Sequence, residues 1–179
     1  MTRPRKLGSD AMTLDWIAQP VPGKSLLNLD LGTSYTNVVS LLKDCEISEN
    51  VFQIDNSCPI RLDISSDEAV IRFKMMEDQS YGWQSDVALL YFKSGNLKSI
   101  TIYFREKYSY RGLICGKVGL GDEIRDLKEY FALEYDDVDE VFYAFNDGRS
   151  SGLELHGTSC DLSVDPAQKI GAMKVFLVD

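Results

Sequence analysis

The sequence predicts an α+β fold: two tandem strand-helix-multistrand repeats, with the helices packed on antiparallel β-sheet. Three observations lead there. A Leu-Gly pair followed by a polar residue and an amphipathic stretch occurs twice, at Leu31-Gly32-Thr33 and at Leu120-Gly121-Asp122. Each copy precedes a series of short strand-like runs. A chain of 179 residues that is 44% hydrophobic and 26% charged is long enough, and apolar enough, to bury one sizeable core.

Residues 1–22 form an extended lead-in, with Pro20 and Pro22 keeping it out of a helix and Trp16 packing on the domain. The first repeat spans 23–105 and the second 106–179, the two sharing one compact unit. In the first, Thr33 caps a helix over 33–43, where Tyr35, Val38, Val39 and Leu42 fall at i, i+3, i+4 and i+7. Strands follow at Val51–Ile54, Ile60–Ile64 and Ala69–Met75. A hairpin then turns at Ser94-Gly95-Asn96. Val87 to Phe92 is apolar on both faces, which marks a central strand.

In the second repeat Asp122 caps a helix over 122–131, with Ile124, Leu127 and Phe131 as its stripe. Strands follow at Glu140–Phe145, Gly152–Gly157 and Lys169–Val178, and Asn146-Asp147-Gly148 turns between the first two.

The stretch "LLNLDLGTSYTNVV" resembles the first phosphate loop of the actin and Hsp70 ATPases, with Asp30, Gly32, Thr33 and Ser34 in the phosphate-binding places. Its copy answers the resemblance. Gly119 replaces Asp30, and Asp122-Glu123 replaces the hydroxyl pair, so two carboxylates would repel a phosphate at that helix start. What the copies share is what folding needs. No nucleotide and no other cofactor is expected.

The net charge of −9 argues against nucleic acid, which requires a basic face. No window approaches the ~20 apolar residues of a membrane span. The basic N-terminus lacks an apolar signal region, so the expectation is a cytoplasmic protein. Cys45, Cys58, Cys115 and Cys160 form no C-x-x-C pair, and the single histidine, His156, shares a strand face with Glu154 opposite Leu153 and Leu155. These patterns predict scattered thiols, no zinc and no His-dependent catalytic set.

The segment from Glu129 to Tyr143 joins the second helix to the next strand. It is either a solvated loop or a binding face. As a binding face it would use Glu134, Tyr135, Asp136, Asp137, Asp139, Glu140 and Tyr143, with acid steering a basic partner and tyrosines supplying contact area. The first repeat carries Asp44, Glu46 and Glu49 at the matching place without tyrosine. The next candidate is the sheet face around Ile100–Tyr103.

The twofold use of an apolar strand, a glycine, a polar cap and an amphipathic helix resembles tandem modules of the beta-lactamase-inhibitor and BamE-like kind. With its acidity, and with "LGDEIRDLKEYFALEYDD", the chain is similar to bacterial immunity proteins of contact-dependent inhibition or type VI secretion. That resemblance implies a non-catalytic module that blocks a cognate protein toxin with a basic surface. The alternatives are a BamE-like assembly scaffold and, third, an enzyme of unknown type.

Overall fold

Among the described residues, two-residue turns at three hairpins fold the chain back on itself. Leu27-Asn28 (φ 58° and 60°), Ser94-Gly95 (54° and 73°) and Asp147-Gly148 (48° and 72°) hold both central residues at positive φ. That geometry matches the right-handed twist of the strands it joins, so each turn closes a tight antiparallel hairpin. The computed structural model describes residues 14–49, 51–52, 60–64, 69–76, 85–108 and 110–178.

A small hairpin, β1 (Ser25–Leu26) with β2 (Leu29–Asp30), leads into helix α1 (Tyr35–Lys43). The strands of the first half are β3 (Glu46–Ser48), β4 (Val51–Phe52), β5 (Ile60–Ile64), β6 (Val70–Met75), β7 (Asp86–Lys93) and β8 (Asn96–Tyr103). Those of the second half are β9 (Ala132–Asp136), β10 (Val141–Asn146), β11 (Arg149–His156) and β12 (Ala172–Phe176). All ten belong to one antiparallel sheet in the order β3-β4-β5-β6-β7-β8-β12-β11-β10-β9. Each half is a meander, and the two meet where β8 pairs with β12.

The described residues are therefore mostly β, 45% strand and 11% helical, and the α+β expectation with a repeated helix is wrong. The physical cause lies at residues 122–131. Ile124 and Leu127 are both fully buried, but they are three residues apart, and a 3₁₀ helix repeats every three residues. Ile124–Glu129 takes that tighter form for a single short run. The chain then enters β9, where a solvated connection was an open reading; alternation along Ala132–Asp136 is masked by acidic residues on the outer side.

The caps also differ from expectation. Ser34, not Thr33, caps α1, its hydroxyl accepting from the Asn37 N–H at 3.3 Å. Thr33 Oγ1 instead donates to the Asp30 carbonyl at 2.6 Å. Asp122 accepts from the Gly119 N–H at 2.8 Å, and the residue at the helix start, Glu123, makes no side-chain cap.

Both shifts have one origin. Gly32 and Gly121 share φ +87°. The Gly32 N–H donates to Leu97 O, whose own N–H donates to Thr33 O, and the Tyr35 N–H donates to Gly95 O. In the second half Gly121, Asp122 and Ile124 make the same three bonds with Ile170 and Gln168. The residue after each glycine is thus tied to the end of its half's last strand, and the helix starts one residue later. These bonds also engage the loop amides of Gly32 and Tyr35 within the chain.

One sheet face carries the core. Leu90 and Phe92 of β7, Ile100 and Ile102 of β8, Met173 and Val175 of β12, and Leu153 and Leu155 of β11 are all buried there. Fully burying such a side chain is worth about 1.5–3 kcal/mol. α1 covers this face with Val38 and Leu42, and Tyr35 meets Phe92 edge-on at 5.2 Å. The lead-in adds Trp16, 3% exposed, edge-on to Phe73 and Tyr110 at 6.5 Å each, its indole N–H donating to Tyr108 O at 3.0 Å.

Gly32→Ala and Gly121→Ala are each expected to lower stability by about 1–2 kcal/mol, because a β-carbon is strained at positive φ. Gly121→Ala should lose more, since its Cβ would stand 3.1 Å from the Phe104 ring. Urea denaturation of both variants reads this directly. In the same assay Ser34→Ala should cost about 1 kcal/mol and Thr33→Ala less.

Candidate functional site

Successive side chains of a strand point to opposite faces, so the core on one side determines what the other side shows. The register lines up one polar row across the opposite face. Asp63 stands beside Arg72, Arg72 beside Leu89, and Leu89 beside Thr101. Across the seam Thr101 faces Lys174, Lys174 faces Glu154, Glu154 faces Tyr143, and Tyr143 faces Glu134. α1 and the 3₁₀ helix both insert their buried side chains on the core side, so among the described residues no helix covers this row.

The open face is grooved along β8 and β12. Three depressions of about 490, 480 and 400 Å³ adjoin one another: the first and third share Tyr91, Ser99, Glu154 and Lys174, and the second and third share Tyr103 and His156. Ser99 and Thr101 lie buried in the floor. Rings of Tyr91, Tyr103, Tyr143 and Phe176 stand around it. Tyr91 is 41% exposed, and Tyr143 meets Phe176 edge-on at 6.3 Å.

Glu154 sits at the centre, 5% exposed. Lys174 Nζ donates to its Oε2 and His156 Nε2 lies against its Oε1, both at 2.8 Å. Burial pushes the Glu154 carboxyl upward. The hydrogen bonds and charges of His156 and Lys174 outweigh that and hold it below its ordinary value of 4.5. Lys174 also reaches over the Phe176 ring at 5.7 Å. Burial, then the Glu154 charge and the bond to Asp139, push the Tyr143 hydroxyl up to about 12, so at neutral pH it donates to Asp139 at 3.1 Å.

A second charged pair lies toward β6. Arg72 meets Asp86 at 2.6 Å, and Asp86 is wholly buried. Both centres are already neutralised within the chain. With one Glu154 oxygen engaged by the Lys174 ammonium and the other by the His156 ring, this carboxylate is poorly placed to take a proton from a substrate. Neutralised polar groups among aromatic rings are instead suited to contact.

The seven residues singled out in sequence are divided by the structure. Glu134 and Tyr143 lie on the open face. Tyr135 points to the core side, its ring 5.0 Å from Phe142. Asp136 holds the β9–β10 turn by accepting from the Val138 and Asp139 amides at 2.8 and 3.0 Å. Asp139 is bonded to Tyr143. Asp137 and Glu140 are exposed in the turn, and Glu140 also borders the second depression. The acidic segment is thus a strand, a turn and the next strand at one rim of the groove.

Lys174 and Phe176 went unnoticed in the sequence. Alternation put Glu154 beside His156, but Lys174 joins them only because β12 returns between β8 and β11. Among the described residues no group of three His, Cys, Asp or Glu side chains could hold a metal ion, and no helix is long and apolar enough to cross a membrane. Cys45, Cys115 and Cys160 are free, and Cys58 lies outside the described residues. Comparisons with known protein families, characterised proteins and solved structures find no match to this chain.

Because its folded value is depressed, Glu154 contributes stability that is fully present above the ordinary glutamate range and is lost as pH falls through the lower folded value. The stability gap between the wild type and Glu154→Gln should therefore shrink on acidification below pH 4.5, and thermal melts across that range read it. Lys174→Met, which leaves a buried carboxylate short of a partner, should cost about 1–3 kcal/mol at neutral pH.

Proposed function

We propose that this chain is a non-catalytic protein-binding module that binds and blocks a cognate bacterial toxin in the cytoplasm, as an immunity protein does. The observation that carries the reading is one continuous surface: a sheet face that no helix covers among the described residues, lined with tyrosine and phenylalanine and bordered by the acidic β9–β10 turn. Aromatic rings supply large contact area at low entropic cost, and neutralised charges beneath them do not have to be stripped of water unpaired. Glu134, Asp137 and Glu140 project from the rim, and the whole chain carries −9. They would steer a basic toxin surface toward the groove. Inhibition is then steric: the toxin's own substrate groove is covered.

A second reading is an assembly scaffold that binds its partner along the sheet edge. The outer edge of β9 favours it, since among the described residues no strand pairs there. The acidic residues on β9 oppose pairing with a second copy.

Co-purification with the product of the gene immediately upstream tests the toxin reading. In that complex, Glu134→Lys, Asp137→Lys and Glu140→Lys together should slow association about tenfold at low salt and flatten its salt dependence. Stability should change by no more than about 0.5 kcal/mol per site, because Asp136 and Asp139, which hold the turn, are kept. An unchanged association rate would remove the rim from the interface.

A further inference from the structure

The groove has the opposite charge to the protein. Over the whole chain 19 Lys and Arg stand against 28 Asp and Glu. Among the described residues that line the three depressions, Lys93, Lys98, Arg105 and Lys174 stand against Glu140 and Glu154, His156 aside, with Glu134 and Asp139 at the rim beside Tyr143. Lys174 is spent on Glu154. Lys93 and Lys98, at the β7–β8 turn, have no carboxylate within ion-pair distance among the described residues. An acidic protein that gathers cations along one aromatic-lined groove has a built-in preference for an anionic occupant.

The shape narrows the class. The groove follows β8, whose residues run from Asn96 to Tyr103, so its length is roughly 25 Å. That accommodates about eight residues of extended chain at ~3.3 Å each. Along such a segment one set of alternate side chains would face the rings of Tyr91, Tyr143 and Phe176 on the floor, and the other set would point outward, toward the long side chains of Lys93 and Lys98 at the β7–β8 end. A nucleic-acid strand would carry a phosphate at every step past the acidic rim of Glu134 and Glu140, which disfavours it.

We infer that the groove of the open face receives an extended acidic segment of a protein partner, with apolar side chains between its carboxylates. This rests on the reading that the protein is a binding module. It adds that the partner presents two signs of charge, an acidic segment for the groove beside a basic patch for the rim. Such alternation fixes orientation and rejects partners with either charge alone.

The test uses fluorescence anisotropy with the full chain and three labelled probes: an eight-residue peptide alternating Asp and Phe, its counterpart alternating Lys and Phe, and an eight-nucleotide oligothymidylate. The acidic peptide should bind saturably and more tightly than either other probe. Lys93→Glu with Lys98→Glu should weaken it about tenfold, some 1.4 kcal/mol. Lys43→Glu with Lys117→Glu, exposed and away from the groove, makes the same net-charge change and should weaken it by no more than about threefold. Equal losses in the two pairs, tighter binding of the basic peptide or the oligonucleotide, or no saturable binding of any probe overturns the inference. The toxin reading is judged separately, on the natural partner. If that partner binds the wild type and the Lys93/Lys98 pair equally well, the groove inference falls and the module reading stands. If no partner binds, the module reading falls, and the peptide measurements still decide the groove.

Discussion

The pairing of β8 with β12 makes one sheet out of two meanders, and the rest of the molecule depends on it. Five residue pairs join the strands, from Ala172 beside Tyr103 to Phe176 beside Ser99. On the core side this register brings Ile100 and Ile102 against Val175 and Met173, so the two halves bury one continuous hydrophobic layer. On the other side it brings Thr101 against Lys174 and so builds the floor of the groove. The two glycine turns reinforce the seam, because each ties its half's helical segment to the end of the strand that forms it.

A ten-stranded sheet with its core on one face leaves the chain a second face to manage. Antiparallel sheets commonly turn such a face to water and carry polar residues on it. Here the polar residues are long and interlocked. Lys174 and His156 converge on Glu154, Arg72 on Asp86, and Lys74 on Asp63 at 3.2 Å. These pairs fix the register, because a slip of one residue would carry buried charge into the core. They also leave the rings of Tyr91, Tyr143 and Phe176 as the contact-forming elements of the surface. The same pairing that secures the fold thus frees the aromatic residues for a partner.

Hairpins were legible in the sequence where the turn chemistry is local. Ser94-Gly95 and Asp147-Gly148 stood out because few residue types accept two successive positive φ angles. The second helix was misjudged because Ile124 and Leu127 serve a period of three as well as a period of 3.6. β9 was missed because edge strands carry charge to resist self-pairing, which resembles the composition of a loop. Its acidic residues were noticed, but their division into turn-holding Asp136 and Asp139 and outward Glu134, Asp137 and Glu140 required the backbone path.

By itself the sequence determined two of the hairpin turns, the doubled glycine turn, the apolar stripe of α1, the placement of His156 with Glu154, and the overall acidity. All of these rest on neighbours within a few residues, or on summed composition, and so are written in local order. Only the tertiary structure decided that the halves share one sheet, that Lys174 completes the Glu154 cluster, and that cations gather in a groove of an acidic chain. Those features join residues tens of positions apart, such as Tyr91, Tyr143 and Phe176, and no local spacing encodes a strand's partner. Register across the β8–β12 seam is set by which apolar faces bury together, a property of the whole sheet.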